Sequence, residues 1–505
     1  MICLTLTEKT TRDAVRIMEE LLPEVDLVEV RADLLQDLDM EALLHAGTKP
    51  VIFTVRRPEE GGAFTGSEEE RIELLVRAKR SGAAYVDVEW LTPQEQRSRV
   101  LSSPGDAKVI LSFHDFDATP VDLFALFRDM ASQRADVIKI ATFARNLEDN
   151  FRIFRLLQHM KHNVVAHVMG DLGYISRILA PKFGSLWTYC FKDGRSKAAP
   201  GQISLDTLLD VYHVHRIKPD TKVYALLGNP VAHSFSPHMQ NAAFRHANIN
   251  AVYVPMQVTD LTSILAFFKE IDMQGCSVTI PFKVRILDVL DEVDDLARRM
   301  GAVNTVYVRN GKLMGTNTDG IGALRTIQAA GIQLTGSKVL VLGAGGSARA
   351  VGFTLAAARR LNALTFVSRR SDQAQILVRE LSPYTATPLF ASSFQLSDLE
   401  RAFEDADLVV NCTPVGMFPN EDETPVPIHL LREQPIVFDI VYNPLITRFL
   451  KEAAECGCTT LTGIDMLVHQ GAAQFEAWTG LRAPFTVMRH AALKALQASD
   501  PSSSK

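Results

Sequence analysis

Eight short runs rich in β-branched or aromatic residues fill the first 215 residues of this 505-residue chain: Ile2–Leu6, Leu27–Arg31, Pro50–Val55, Ala84–Glu89, Val109–Phe113, Val137–Ala141, Val164–Val168 and Leu186–Cys190. Stretches with apolar residues at helical spacing lie between most of them, at Thr11–Leu22, Glu69–Lys79, Val121–Ala131 and Leu147–Met160. Eight strands alternating with helices over this length is the arithmetic of a small parallel (β/α)8 barrel. An open doubly wound sheet and two smaller sheets are the alternatives, and the count of eight favours closure.

A barrel concentrates its chemistry at the carboxyl ends of its strands. Polar residues fall there: Glu29 and Arg31 after strand two, Arg56 after strand three, Asp87 and Glu89 on strand four, His114 after strand five. Met169 ends strand seven, Arg177 lies just beyond, and Gln202 follows strand eight. Each has a bland reading, His114 as a core or capping histidine and Glu29 with Arg31 as a structural ion pair. Lys139 is harder to dismiss, because it interrupts an otherwise apolar strand and an unpaired ammonium is costly in a barrel interior. Desolvation and neighbouring arginines are expected to favour the free amine, which attacks a ketone to form a Schiff base. His114 is placed to move the proton that an imine makes acidic, and Arg31, Arg56 and Arg177 suit a carboxylate-bearing substrate. The residues point to a Schiff-base lyase acting on an anionic keto compound.

Glu29-Val30-Arg31, Phe53-Thr54-Val55-Arg56, Glu60-Gly61-Gly62, Ser112-Phe113-His114-Asp115, Lys139-Ile140-Ala141, Met169-Gly170, Ser176-Arg177 and Ala199-Pro200-Gly201-Gln202 occur in that order. Over residues 1–212 this pattern resembles type I 3-dehydroquinate dehydratase. The resemblance implies Lys139 as the imine-forming lysine and His114 as general acid/base, with Glu60 assisting. It also implies that Arg56, Arg177 and Gln202 hold the substrate carboxylate and hydroxyls. Ala198 stands where the family usually has Ser, which predicts weaker substrate binding with the chemistry retained.

Residues 213–222 read as a short polar connector. Beyond it, Lys338–Leu342 leads through Gly343-Ala344-Gly345-Gly346-Ser347-Ala348 into an alanine-rich stretch, the strand–turn–helix context of a dinucleotide site. The next strand ends in Ser368-Arg369-Arg370, where a cofactor with a free ribose 2′-hydroxyl would want Asp or Glu. Two arginines can clasp a 2′-phosphate, so NADP is favoured over NAD; a solvated charge pair is the bland alternative. Upstream, Ser234 and Ser236 open a helix, by capping it or by holding a carboxylate at its positive end. Capping by Ser236 is the default. Thr279, Lys283, Asn304 and Asp319 fall at further segment ends, and a Lys–Asp pair can supply and orient the proton needed when a ketone is reduced.

These segments, with Asn411–Met417, Asp439–Tyr442, Gly463 and Met466–Gly471, resemble shikimate dehydrogenase over residues 223–490. The resemblance implies Lys283 and Asp319 as catalytic and Ser234, Ser236, Thr279, Asn304, Tyr442 and Gln470 as substrate contacts. It places Thr413, Gly463 and Met466 at the cofactor. Ser277 and Ser368 stand where Asn is common, and both keep a hydrogen-bonding group. The expected division is a barrel over 1–215, a substrate domain over 222–320 with helices 465–498 returning to it, and a Rossmann-like NADP domain over 321–464. The two families act on consecutive compounds, 3-dehydroquinate to 3-dehydroshikimate to shikimate, so the chain is similar to bifunctional enzymes that join both steps. Quinate as second-half substrate, a non-catalytic metabolite sensor and another Schiff-base enzyme such as an aldolase are the rivals.

Net charge is −6, which gives no global attraction for nucleic acid or an anionic membrane. Apolar runs are too short to span a bilayer, and the start lacks the pattern of a secretion signal. Six scattered cysteines form neither a disulfide framework nor a zinc pattern. The expectation is a cytoplasmic monomer or homodimer without a metal, whose partners are small molecules, with a disordered tail from Pro501.

Overall fold

The computed structural model describes residues 1–232, 234–262, 264–358, 360–433 and 435–499; the tail from Pro501 lies outside them. Backbone contacts divide the chain into two compact units, the first comprising Met1–Ala225, Asn229–Ala232 and Asn250–Asp272. The second takes in Leu226–Gly228, the described residues from Ser234 to Ile249, and those from Met273 on.

In the first unit the eight runs are strands: β1 (Ile2–Leu6), β2 (Leu27–Arg31), β3 (Val51–Thr54), β4 (Tyr85–Glu89), β5 (Lys108–His114), β6 (Val137–Phe143), β7 (Val164–Met169) and β8 (Thr188–Phe191). They lie in the order β7-β6-β5-β4-β3-β2-β1-β8. β8 pairs in parallel with β1 through Ile2↔Thr188. The seam between β7 and β8 is bridged by the Leu186 N–H, which donates to the Val164 carbonyl at 2.9 Å. The ring is therefore closed, as the count of eight suggests, and not an open sheet.

Alternation along the strands positions the site. Cys3, Leu27, Ile52, Ile110, Val137, Val165, Trp187 and Tyr189 pack together as the apolar floor of the barrel. Two residues further along the same face of each strand stand Thr5, Glu29, Thr54, Ser112, Lys139 and His167, all buried. The period of two that lays the hydrophobic floor thus raises a polar layer directly above it.

The second unit contains two sheets. Met273–Val278 pairs antiparallel with Thr305–Arg309, which pairs antiparallel with Lys312–Thr316. The other sheet is all parallel, with Leu389–Ser393, Ala363–Ser368, Lys338–Leu342, Leu408–Asn411, Ile436–Asp439 and Thr460–Leu461 side by side. Numbered along the chain these strands lie in the order 3-2-1-4-5-6, the Rossmann arrangement, whose switch point falls beside Lys338–Leu342. Helices Gly463–Thr479 and Phe485–Ser499 follow. The first of these ties back to the antiparallel sheet: Gln474 donates to the Asn304 carbonyl at 3.2 Å and accepts from the Ser277 hydroxyl at 2.8 Å. Among the described residues, no helix is long and apolar enough to cross a membrane.

Candidate active sites

The barrel mouth holds a cavity lined by, among others, Glu29, Arg31, Arg56, Glu60, His114, Lys139, Met169, Arg177 and Gln202. Lys139 lies at its floor, only 4% exposed. It is not the unpaired charge expected from its apolar strand: Nζ donates to Glu29 Oε1 at 3.2 Å and to Asp87 Oδ2 at 3.1 Å, and sits 4.4 Å from the Tyr189 ring centre. Two carboxylates and an aromatic face thus surround the amine at the cavity floor. Burial alone would raise the Asp87 carboxyl, but Arg56 and Lys139 hold it well below the usual range, so it is a fixed counter-charge.

Glu29 does not pair with Arg31. It accepts from Lys139, Thr5 and Thr54, whereas Arg31 forms a bidentate pair with Asp33 at 2.7 and 2.8 Å. Arg56 is likewise committed, donating twice to Asp87 and also to Glu89 and Ser112. Arg177 differs from both. It is 1% exposed; its one hydrogen bond goes to the Pro200 carbonyl at 3.4 Å, and Nε and Nη1 have no partner among the described residues. Burial brings its pKa down to about 10, so the guanidinium stays charged at neutral pH. A buried cation with unpartnered N–H groups at a cavity wall has the chemistry to receive a carboxylate.

His114 Nδ1 lies 3.0 Å from Glu60 Oε2, and its backbone N–H donates to the same oxygen. Burial, then the Arg56 and Lys139 cations, depress the imidazole well below its ordinary pKa, leaving it neutral and ready to accept a proton. Burial and the nearby Glu89 push Glu60 up to about 8. Gln202 accepts from the Ala198 N–H at 2.8 Å and donates to Thr5 at 3.3 Å. The backbone at Ala198 thus orients Gln202 without the missing hydroxyl.

In the second unit Lys283 Nζ bonds Asp319 Oδ2 at 2.5 Å, and Asn304 Nδ2 donates to Asp319 Oδ1 at 2.6 Å. Asn304 also reaches Gln470 Oε1 at 3.3 Å. Asp319 is the first residue of helix Asp319–Ala329, so its carboxylate also sits at a positive helix end. Ser236 does not cap its helix. It is the first helical residue, and its N–H donates to the Ser234 hydroxyl at 3.2 Å. Tyr442 packs edge-on against Phe235 at 5.9 Å, which brings it beside the two serines. Thr279 follows directly on the strand Met273–Val278, its N–H bonded to the Leu227 carbonyl.

The cofactor bed follows the switch point. Gly343 takes φ +113°, and a Cβ there would come within 3.2 Å of the Cys412 carbonyl oxygen. A Cβ on Gly345 or Gly346 would meet nothing within 4 Å, so that space is open at the start of helix Gly346–Ala358. Ala344 and Ser347 are half-buried and Ala348 is buried in the same turn. Ser368 is buried at its strand end, with Arg369 and Arg370 exposed beside it. Thr413 is fixed by Asn411, whose side-chain oxygen accepts from its N–H and its hydroxyl. Gly463 is packed on the Ile440 and Val441 carbonyls, and Met466 is buried. A glycine-lined helix start followed by two arginines fits a dinucleotide carrying a 2′-phosphate.

The type I 3-dehydroquinase family model matches residues 2–219. The shikimate dehydrogenase substrate-binding model matches 226–306 and the shikimate 5′-dehydrogenase C-terminal model 463–493. The chloroplastic bifunctional 3-dehydroquinate dehydratase/shikimate dehydrogenase of Arabidopsis thaliana is 38% identical, over 91% of this chain and 78% of its own length. The chain belongs to this bifunctional family. Its second half is also 42% identical to the shikimate dehydrogenase (NADP(+)) of Methanopyrus kandleri, over 56% of this chain and 98% of that protein. A solved shikimate dehydrogenase in complex with NADP+ superposes with a TM-score of 0.52 at 37% identity, covering 55% of this chain and 97% of that one.

For a member of this family, sequence reasoning left several site groups unassigned. Asp87 was visible as a strand-end carboxylate, but nothing local tied it to Lys139, 52 positions away. His167 and Tyr189 also line the barrel cavity. Both lie inside runs that read as plain strand, and their inward direction follows only from strand register.

Proposed function

We infer that this bifunctional enzyme dehydrates 3-dehydroquinate to 3-dehydroshikimate in its barrel and reduces that product to shikimate with NADPH in its second half. The reading of the barrel rests above all on one observation: an ion-paired lysine on the cavity floor and an arginine with free N–H groups in the same cavity.

Arg177 takes the substrate carboxylate, and the C3 ketone comes to Lys139. Glu29, already bonded to Nζ, accepts the ammonium proton as the amine adds to the carbonyl; water leaves and an iminium forms. The positive nitrogen acidifies C2, and neutral His114 takes that proton. With Glu60 ionised, the Nδ1–H of His114 is donated to Glu60 and Nε2 carries the accepting lone pair. The C1–O bond breaks, the hydroxyl departs with a proton as water, and hydrolysis of the imine returns the amine. In the second half, Ser234 and Ser236 at a helix start receive the carboxylate. Asn304 and Gln470 hold ring hydroxyls, with Thr279 and Tyr442 flanking. Lys283 protonates the developing alkoxide, and Asp319 orients it. NADPH, when bound, supplies the hydride. Its pyrophosphate is assigned to the Gly343–Ala348 turn, its 2′-phosphate to Ser368, Arg369 and Arg370, and its nicotinamide end to Thr413, Gly463 and Met466.

The same reading assigns the barrel to 1–215, the substrate domain to 222–320 with 465–498, and the NADP domain to 321–464. We take the enzyme to be cytoplasmic, as its six free thiols suit a reducing compartment, and to be a monomer or homodimer. The paired serines favour shikimate over quinate, since the extra C1 hydroxyl of quinate needs room a smaller residue would leave. Adding 3-dehydroquinate and NADPH to the purified chain tests the whole reading: NADPH oxidation without any other enzyme supports it, and none refutes it. Borohydride added with 3-dehydroquinate is expected to fix mass on Lys139; an unmodified Lys139 with dehydratase activity intact would refute the imine.

A further inference from the structure

We propose that His167 is a second substrate-positioning imidazole of the dehydratase cavity, donating a hydrogen bond to a ring hydroxyl on the β7 side. The inference rests on the dehydratase reading above. Strand register sets its position: His114 on β5 pairs with Ala141 on β6, and Ala141 pairs with His167 on β7. Paired residues of neighbouring parallel strands point to one face, so the three form a row, and Lys139 lies two residues earlier on that face of β6. Strands β5 and β7 are two ladder spacings apart, roughly 10 Å. On the strand between them the paired residue is Ala141. The two histidines therefore flank the mouth above Lys139, one on each side of β6, and all four residues line the cavity.

His167 has the state such a role needs. It is 6% exposed, touches the Tyr189 ring edge-on at 6.0 Å, and makes no hydrogen bond to a described protein group. Burial, then the Arg177 and Lys139 cations, hold its pKa well below the ordinary value. A neutral imidazole offers one N–H and one lone pair. Its ring nitrogens are open to the cavity and not sealed in the core, so a bound hydroxyl can replace water as their partner. Both cations that act on it, Arg177 at the carboxylate end and Lys139 at the ketone end, are those the substrate bridges. The intervening polar groups of that substrate are hydroxyls, which an imidazole N–H serves directly.

His167→Leu and His167→Gln in the full-length enzyme test this. The Leu variant is expected to raise the KM for 3-dehydroquinate roughly tenfold, the worth of one buried hydrogen bond. Borohydride labelling of Lys139 at saturating substrate should persist, and the Gln variant should recover most of the KM. A Leu KM within twofold of wild type overturns the proposal and leaves the imine reading standing. Absence of Lys139 labelling in the wild-type enzyme overturns both. Where the Leu variant fails to fold, the wild-type protein decides: the His167 ring-nitrogen resonances, assigned by their loss in His167→Gln, shift on adding 3-dehydroshikimate, and no shift refutes the contact.

Discussion

Each half of the enzyme centres on a lysine paired with an aspartate, and the two surroundings are opposite. The Lys139 side chain is 5% exposed, with two carboxylates bonded to it, inside a closed ring of strands. The Lys283 side chain is 29% exposed and, among the described residues, bonds Asp319 alone, on a loop after a strand. A covalent intermediate needs an interior that excludes water and keeps its own counter-charges in place. Proton delivery beside a bound dinucleotide needs a group that the solvent can reload. The same residue type is therefore buried in one site and half-open in the other.

The sharpest way to break this contrast is to remove each amine. Lys139→Ala is expected to lower dehydratase turnover by about 10⁴-fold or more, read from formation of the conjugated product, with shikimate dehydrogenase activity within twofold of wild type. Lys283→Ala should do the reverse more mildly, costing about 10²–10⁴-fold in 3-dehydroshikimate reduction, the usual share of a general acid. Comparable losses in both activities from either change would contradict two separate sites. Arg369→Ala should raise the KM for NADPH by roughly tenfold and leave that for NADH nearly unchanged, as expected for one charge-assisted phosphate contact.

The smallest effect is a pH dependence that only the buried site should show. Glu60, with its pKa pushed up to about 8, is protonated below that pH and ionised above it. The ionised form accepts the His114 Nδ1–H and frees Nε2 as base, so dehydratase kcat/KM should rise through about pH 8. Glu60→Gln should flatten that limb. The sign for stability is opposite: the folded state holds this proton between the ordinary carboxyl value of 4.5 and about 8, where the unfolded chain has lost it. Its contribution to stability therefore falls as pH rises across that window. A dehydratase profile level between pH 7 and 9 in the wild-type enzyme would refute the Glu60 assignment.

Much of the architecture was legible in the chain. β1 and β2 run over the ranges their composition indicates, because a strand in a parallel barrel is buried on both faces and is rich in aliphatic residues even where Thr5, Glu29 and Arg31 interrupt it. The strand–glycine–helix turn at Gly343 was legible because each constraint is local. The pairing of charges was not. Arg56 and Arg177 look alike in sequence and both line the cavity, but the Arg56 guanidinium is held by Asp87 and Glu89, whereas Arg177 has N–H groups with no partner among the described residues. Ser236 looked like a helix cap, but it is the first helical residue, Phe235 holds the cap position, and no side chain caps that helix end.

The order of residues alone determined where strands, turns and reactive side-chain types fall, since these depend on neighbours within about one helical turn or a strand's alternation. Which lysine meets which carboxylate was decided only when parallel crossovers carried Glu29 to Lys139, 110 positions along the chain, and Asn304 to Gln470, 166 positions away. Charge and hydrogen-bond energies act over a few ångströms in space, and separation along the chain says nothing about that distance until the backbone has closed.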